Sequence, residues 1–276
     1  MIKKILFFAL MVIIIFPLFP VVSKGFEMLS TLGVPSETTP TNRLQATEDA
    51  EKISISNPLV KDKKIPILMF HEIADEPTTS ETNLFVRPSE LKAHLQYLAD
   101  NDFQTITFED LDNVGAFSKP VMLTLDDGYV CDYTILFPLL KEFNMKATIF
   151  IIPNTFWSSN YLSESNILEM SNSGLVSIQS HTVSHPDLTT LDHTSLDNEL
   201  SNSKQIIEEL TGKPVIALGY PFGSNNETVR TAAANYYDYA VTTVNGKFKC
   251  GSNAMSMKRM FVKRGLGAKG FASLVD

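Results

Sequence analysis

The chain has 276 residues, 44% of them apolar or aromatic, and a net charge of −8 from 23 basic and 31 acidic side chains. This length suits one large domain or two small ones, and the composition is that of a globular protein rather than a disordered one. The acidic balance argues against nucleic acid as a partner, because little is set up to displace phosphate counterions.

Lys3 and Lys4 precede an unbroken apolar run from Ile5 to Phe16 that continues to Val22. A basic start followed by an apolar stretch reads as a signal peptide, or an uncleaved membrane anchor, over residues 1–23. The rest of the chain is then expected outside the cytoplasm, secreted or held at the cell surface. Residues 24–64 are polar, with no sustained period of 2 or 3.6, and read as a linker. From residue 65 to 276 strands and helices alternate. Strand patterns cover residues 65–70, 104–107, 121–125, 147–152, 175–179, 215–220, 239–244 and 260–262. Helical patterns cover residues 88–101, 133–143, 167–173, 196–210 and 227–235. Such alternation indicates a parallel sheet or barrel, with functional groups gathered at the carboxyl ends of the strands. Two cysteines, Cys131 and Cys250, do not demand a disulfide and read as buried thiols.

The run Val121-Met122-Leu123-Thr124-Leu125 ends in Asp126-Asp127-Gly128. Two adjacent carboxylates repel each other unless a cation or a shared proton holds them. About fifty residues later His181-Thr182-Val183-Ser184-His185 supplies two imidazoles. One acid with two histidines makes a three-ligand divalent-metal site and leaves the other acid free to act as a base. Taken alone, a double acid before glycine is often a solvated turn, and loop histidines often only cap or hydrogen-bond. The shared placement of His71, Asp126, Asp127, His181 and Tyr220 at strand ends is what makes them one site. His94, inside a helix, and His193, in a polar turn, receive no role. Phe156, Trp157 and Tyr161 follow a strand end and read either as a sugar-stacking wall or as plain packing.

Thr124-Leu125-Asp126-Asp127-Gly128, Ser180-His181-Thr182-Val183-Ser184-His185-Pro186 and Gly219-Tyr220-Pro221-Phe222-Gly223 resemble the three spaced motifs of the polysaccharide deacetylases, the NodB-homology domain of carbohydrate esterase family 4. The likeness covers residues 65–276 and implies a distorted (β/α) barrel. Ile65-Pro66-Ile67-Leu68-Met69-Phe70-His71 is most similar to the branch that deacetylates poly-β-1,6-N-acetylglucosamine of biofilm matrix. The resemblance implies Asp126 as general base, His71 as general acid and Asp127, His181 and His185 as ligands of a divalent metal. Zn2+ is the first choice, with Co2+, Ni2+ or Fe2+ as alternatives. It also implies an oxyanion contact from the Phe222 N–H. The wider family carries an arginine where Gly219 stands, and Arg259 is expected to tether the base in its place. The alternative to that tether is a surface salt bridge. The expected partner is an N-acetylglucosamine-containing polysaccharide met by a monomer, with the membrane as a further contact if the N-terminal segment is retained. Peptidoglycan is the competing polymer, and an inactive glycan-binding protein the competing class.

Overall fold

A computed structural model describes residues 54–76 and 84–276, so the expected targeting segment and most of the linker lie outside the described residues. The strands are β1 (Lys64–Ile65), β2 (Ile67–Phe70), β3 (Glu72–Ile73), β4 (Phe85–Val86), β5 (Gln104–Thr105), β6 (Pro120–Leu125), β7 (Ala147–Ile151), β8 (Val176–Ser180), β9 (Ala217–Gly219), β10 (Tyr239–Asn245), β11 (Phe248–Lys249) and β12 (Met257–Phe261). The helices are α1 (Pro88–Asp100), α2 (Phe137–Phe143), α3 (Glu164–Asn172), α4 (His193–Thr211), α5 (Glu227–Ala233) and α6 (Ala268–Val275).

Seven strands close into a parallel barrel in the order β2, β12, β10, β9, β8, β7, β6, with β6 returning to β2 over Met122–Leu125 against Ile67–Phe70. The two-residue β5 pairs only with the first two residues of β6. The expected distorted (β/α) barrel is therefore the observed fold. Every residue of β2, β6 and β7 is buried, because one face lines the barrel and the other lies under helices. The two apolar clusters follow the strand period of two. Leu68, Leu123, Leu125, Ile149 and Ile151 pack outward under the helices, while Ile67, Met122, Phe150, Ala217, Val241 and Met257 fill the interior.

The packed body begins before residue 65. Ile55 is buried in the interior cluster and its N–H donates to the Leu111 carbonyl at 3.2 Å, so the C-terminal end of the polar stretch belongs to the fold. The helix expected from residue 133 opens instead with a π-turn over Asp132–Leu136, and the Phe137 N–H donates to the Asp132 carbonyl. His193 lies in the first turn of α4, not in a loop, with the Asp192 side chain capping that helix through the Ser195 N–H. His94 stacks on Phe271 at 4.1 Å and its Nε2 meets the Leu266 carbonyl, a structural role that ties α1 to α6. The short pairs β3–β4 and β1–β11 and helix α6 carry too little period to be read from sequence. Cys131 and Cys250 are both buried and free, and the Cys131 sulfur accepts the Ile73 N–H.

Candidate active site

The period of two that buries β6 carries on past its end. Met122 and Thr124 face the barrel interior, so Asp126 does as well, at 2% exposure. Asp127 cannot continue the strand. Its backbone turns left-handed (φ 76°), followed by Gly128 (φ 73°), and the turn aims the two carboxylates differently. The same inward alternation delivers His71 past β2, His181 past β8 and Arg259 within β12.

Asp126 is gripped from below. Both terminal guanidinium nitrogens of Arg259 donate to its two oxygens at 2.7 Å, while Arg259 Nε donates to the Thr242 carbonyl at 3.0 Å. Arg259 is fully buried, which excludes the surface salt bridge and makes it the tether expected in place of residue 219. Gly219 leaves no room for the family's arginine. A Cβ there would stand 2.9 Å from His181 Nδ1 and 3.1 Å from the Phe150 ring. Burial alone would raise the Asp126 carboxyl, but the guanidinium outweighs it and holds the group well below the usual carboxylate range. His71 Nε2 lies 3.7 Å from Asp126 Oδ2. Burial pushes the His71 imidazole below its ordinary value, Asp126 pulls it up, and Arg259 pushes it down again.

Beside this pair sits the second cluster. The Nε2 atoms of His181 and His185 lie 3.5 and 3.6 Å from the same oxygen of Asp127. His181 Nδ1 is 2.7 Å from the Gly219 carbonyl, a contact that requires Nδ1 to carry the proton and leaves Nε2 bare. Burial raises the Asp127 carboxyl, with His181 opposing, and lowers both imidazoles. Donor atoms of the three residues lie within 4.8 Å of one another. Two imidazoles and a carboxylate converging on one point are a donor set that fits a divalent cation. Nothing in the donor set selects Zn2+ over the other metals expected.

Phe222 holds a left-handed backbone (φ 59°) and packs its ring edge-on against His185 at 4.7 Å. Gly223 allows this turn to lie against Thr243, since a Cβ there would come within 2.2 Å of Thr243 Oγ1. A cleft of about 1040 Å³ opens over both clusters, walled in part by Tyr129, Tyr220, Phe222, Phe261 and Lys263. Tyr129 is the site residue that sequence reading missed. Its phenol stands beside Asp127, where it draws that carboxyl down, and its ring stacks on Tyr161 at 5.1 Å. Of the three aromatics read as a wall, Tyr161 joins the site through this stack. Phe156 packs on the core, and Trp157 projects into solvent.

Residues 114–241 match the family model described as polysaccharide deacetylase. YxkH of Bacillus subtilis (strain 168), whose name assigns it to the same family, is 32% identical over 222 residues, 78% of this chain and 77% of that one. The poly-β-1,6-N-acetyl-D-glucosamine N-deacetylase of Staphylococcus epidermidis is 27% identical over 181 residues, 58% of this chain and 62% of its own. The crystal structure of BC0361, a polysaccharide deacetylase from Bacillus cereus, superposes with a TM-score of 0.73 at 34% identity, covering 78% of this chain and 70% of that one.

Proposed function

Because this chain belongs to the polysaccharide deacetylase family, we propose that it removes N-acetyl groups from an N-acetylglucosamine polymer outside the cell, with poly-β-1,6-N-acetylglucosamine as the first candidate. The observation that carries the reading is the juxtaposition of a proton acceptor, a proton donor and a three-donor cation site in one cleft. The choice of polymer is supported by His71, whose place at the end of the first barrel strand is that of the acid in the biofilm branch. Export is supported by the basic and then apolar N-terminus.

Asp127, His181 and His185 would hold the cation, which when bound polarises the acetamide carbonyl and makes water a nucleophile at neutral pH. Asp126 takes the proton from that water. Arg259 holds the Asp126 carboxyl well below the usual carboxylate range, so the base stands ionised at neutral pH. An amine leaves poorly as an anion, and His71, 3.7 Å from the base, protonates the departing nitrogen. The Phe222 N–H, held by its left-handed turn, stabilises the charge that develops on the carbonyl oxygen. Tyr129 braces Asp127 from the other side.

The test is acetate release over a panel of acetylated glycans with defined metals. Asp126→Asn is expected to keep fold and metal but to lose about a thousandfold or more in turnover. His181→Ala and His185→Ala are expected to lose bound metal first, read by elemental analysis. Near-normal turnover of the Asn variant, or unchanged metal in both His variants, would remove the assignment. Release from peptidoglycan but not from the β-1,6 polymer would keep the chemistry and change the substrate.

A further inference from the structure

Arg259, Phe261 and Lys263 alternate along β12 and past its end, while Val262 between the last two is buried in the outer cluster. The face that carries Arg259 inward thus carries Lys263 to the mouth of the cleft. The Val262 N–H donates to the Met69 carbonyl at 3.2 Å, so Lys263 leaves the rim beside the strand that ends in His71. The turn that follows is pinned. The Gly265 N–H donates to Glu90 Oε1 at 2.9 Å, and the Leu266 N–H donates to the Lys263 carbonyl. Lys263 itself is exposed, and its ammonium makes no hydrogen bond or ion pair with any described residue. Acids do stand near this turn, but Glu90 is taken by Gly265 and Arg87, and Glu76 by Arg264 at 3.8 Å. Among the described residues, Lys263 is the one lysine or arginine that walls the cleft.

An unpaired cation in a cleft either grips an anion or repels a cation. Gripping a carboxylate or phosphate calls for several donors converging on one point. The cleft residues that belong to the same stretch of chain are Phe261, Leu266 and Leu274, whose side chains offer none. Lys263 therefore acts through its field. Its sign is that of the metal centre, where two neutral imidazoles and one carboxylate leave a divalent cation with net positive charge. Asp126, the other acid of the cleft, is matched by Arg259. A cleft of positive sign is thus set into a chain of net charge −8. The reaction turns a neutral acetamide into an amine, which is charged in neutral or mildly acid solution. We infer that Lys263 is a specificity-determining residue that keeps glucosamine units, the charged product, out of the cleft, so that amines are left spaced along the polymer rather than in runs. The inference rests on the deacetylase reading above and deepens it, because it names the stretches of glycan that are taken, those still fully acetylated.

Two N-acetylglucosamine pentamers test this in the full-length, metal-loaded protein, with β-1,6 and β-1,4 linkages tried separately. One is fully acetylated and the other carries a single free glucosamine. At about pH 6, where the sugar amine is charged, the unaltered enzyme is expected to favour the acetylated pentamer in kcat/KM by about tenfold. Lys263→Gln is expected to cut that preference about threefold, and Lys263→Arg, which keeps the charge, to retain it. Salt at about 1 M, where the screening length is about 3 Å, should narrow it in the unaltered enzyme. A second readout needs no turnover. The fully deacetylated pentamer, which cannot react, should bind Lys263→Gln about threefold more tightly than the unaltered protein, followed by calorimetry. An unchanged preference or an unchanged affinity in Lys263→Gln overturns the inference and leaves the deacetylase reading standing. A loss of turnover in that variant confined to glycans bearing carboxylate or phosphate overturns it in favour of an anion contact. Absence of acetate release from every oligomer would instead count against the deacetylase reading itself.

Discussion

Along the barrel wall, β6 buries all six of its residues in plain alternation, whereas at the carboxyl rim four non-glycine residues hold left-handed backbone. They are Asp127 (φ 76°), Thr182 (φ 65°), His185 (φ 61°) and Phe222 (φ 59°). Only two other non-glycine residues among those described do so, Asp102 and Asn144, both at helix ends and of types that tolerate the region. Each such residue costs on the order of 1 kcal/mol or more, and the cost falls where side chains must be aimed rather than packed. The wall holds the fold together. The rim gives up part of that stability to set two carboxylates and three imidazoles against one another.

Arg259 is where the two regions meet, since it stands in the wall and grips the rim. Arg259→Met should therefore break both. Asp126 would be left as a buried carboxylate without its partner, at a cost of about 3–5 kcal/mol read by urea unfolding at neutral pH. The sign follows from linkage. Asp126 has a depressed carboxyl, so its stabilising contribution is present above the unfolded value near 3.8 and is lost only as pH falls through the folded one. Burial without the guanidinium would raise that carboxyl, and turnover should fall with it.

A change confined to the wall should separate the two functions. Ile149→Ala, at a fully buried outward position of β7, is expected to cost about 3 kcal/mol in unfolding while leaving metal affinity of the folded protein within a few fold. A large loss of metal would show that the rim depends on wall packing more closely than the geometry implies.

At the rim, His71→Ala should reduce amide turnover about a hundredfold and activated aryl acetates far less, since phenolates leave without a proton. The pH profile sharpens this. Asp126 is ionised throughout, so the amide rate of the unaltered enzyme should have no acid limb from the base. It should instead fall as pH rises through the His71 value, which burial holds under its ordinary 6.5. Equal losses on both substrates would give His71 a structural role.

The last effect vanishes near pH 4 and grows with pH; it concerns Asp132, a fully buried carboxyl in the π-turn with no hydrogen-bond partner on either oxygen. Burial, then Asp127 and Asp126, push it well above its ordinary value, so the folded chain keeps its proton while the unfolded chain loses it above about 3.8. The native state therefore loses stability through Asp132 as pH rises from that point toward the folded value. Asp132→Asn should match the unaltered chain near pH 4 and gain on it by up to about 1.4 kcal/mol per pH unit above, followed by thermal unfolding. A pH-independent difference would mean that Asp132 is charged in the fold.

Much of this site was legible residue by residue. An apolar run closed by two acids and a glycine reads as a buried strand turning at its end, and the placement of His181 and His185 at the end of another is what joined them to the two acids as one expected site. The resemblance to polysaccharide deacetylases rested on the same short stretches and implied the barrel, where the alternating periods alone left a parallel sheet or a barrel open. Tyr129 escaped notice because a tyrosine after a turn carries no spacing signal, and it comes to stand beside Asp127 only once the loop folds back. The irregular start of the helix after Cys131 was hidden for a similar reason, because a π-turn has no period of its own in sequence.

By itself the sequence determined which side chains could do chemistry and, through the resemblance, that Arg259 was expected to tether Asp126. Local backbone preference and burial are written in neighbouring residues, so they can be read from one strand at a time. Only the tertiary structure decided that Arg259 grips Asp126 rather than lying in a surface salt bridge, that Gly219 must be bare for His181 to approach, and that Trp157 stands uncovered. Those facts depend on how β12 is brought over the end of β6, 133 residues away along the chain, and how β9 is set beside β8. Distances of that kind are fixed by closure of the barrel, not by any residue's own neighbours.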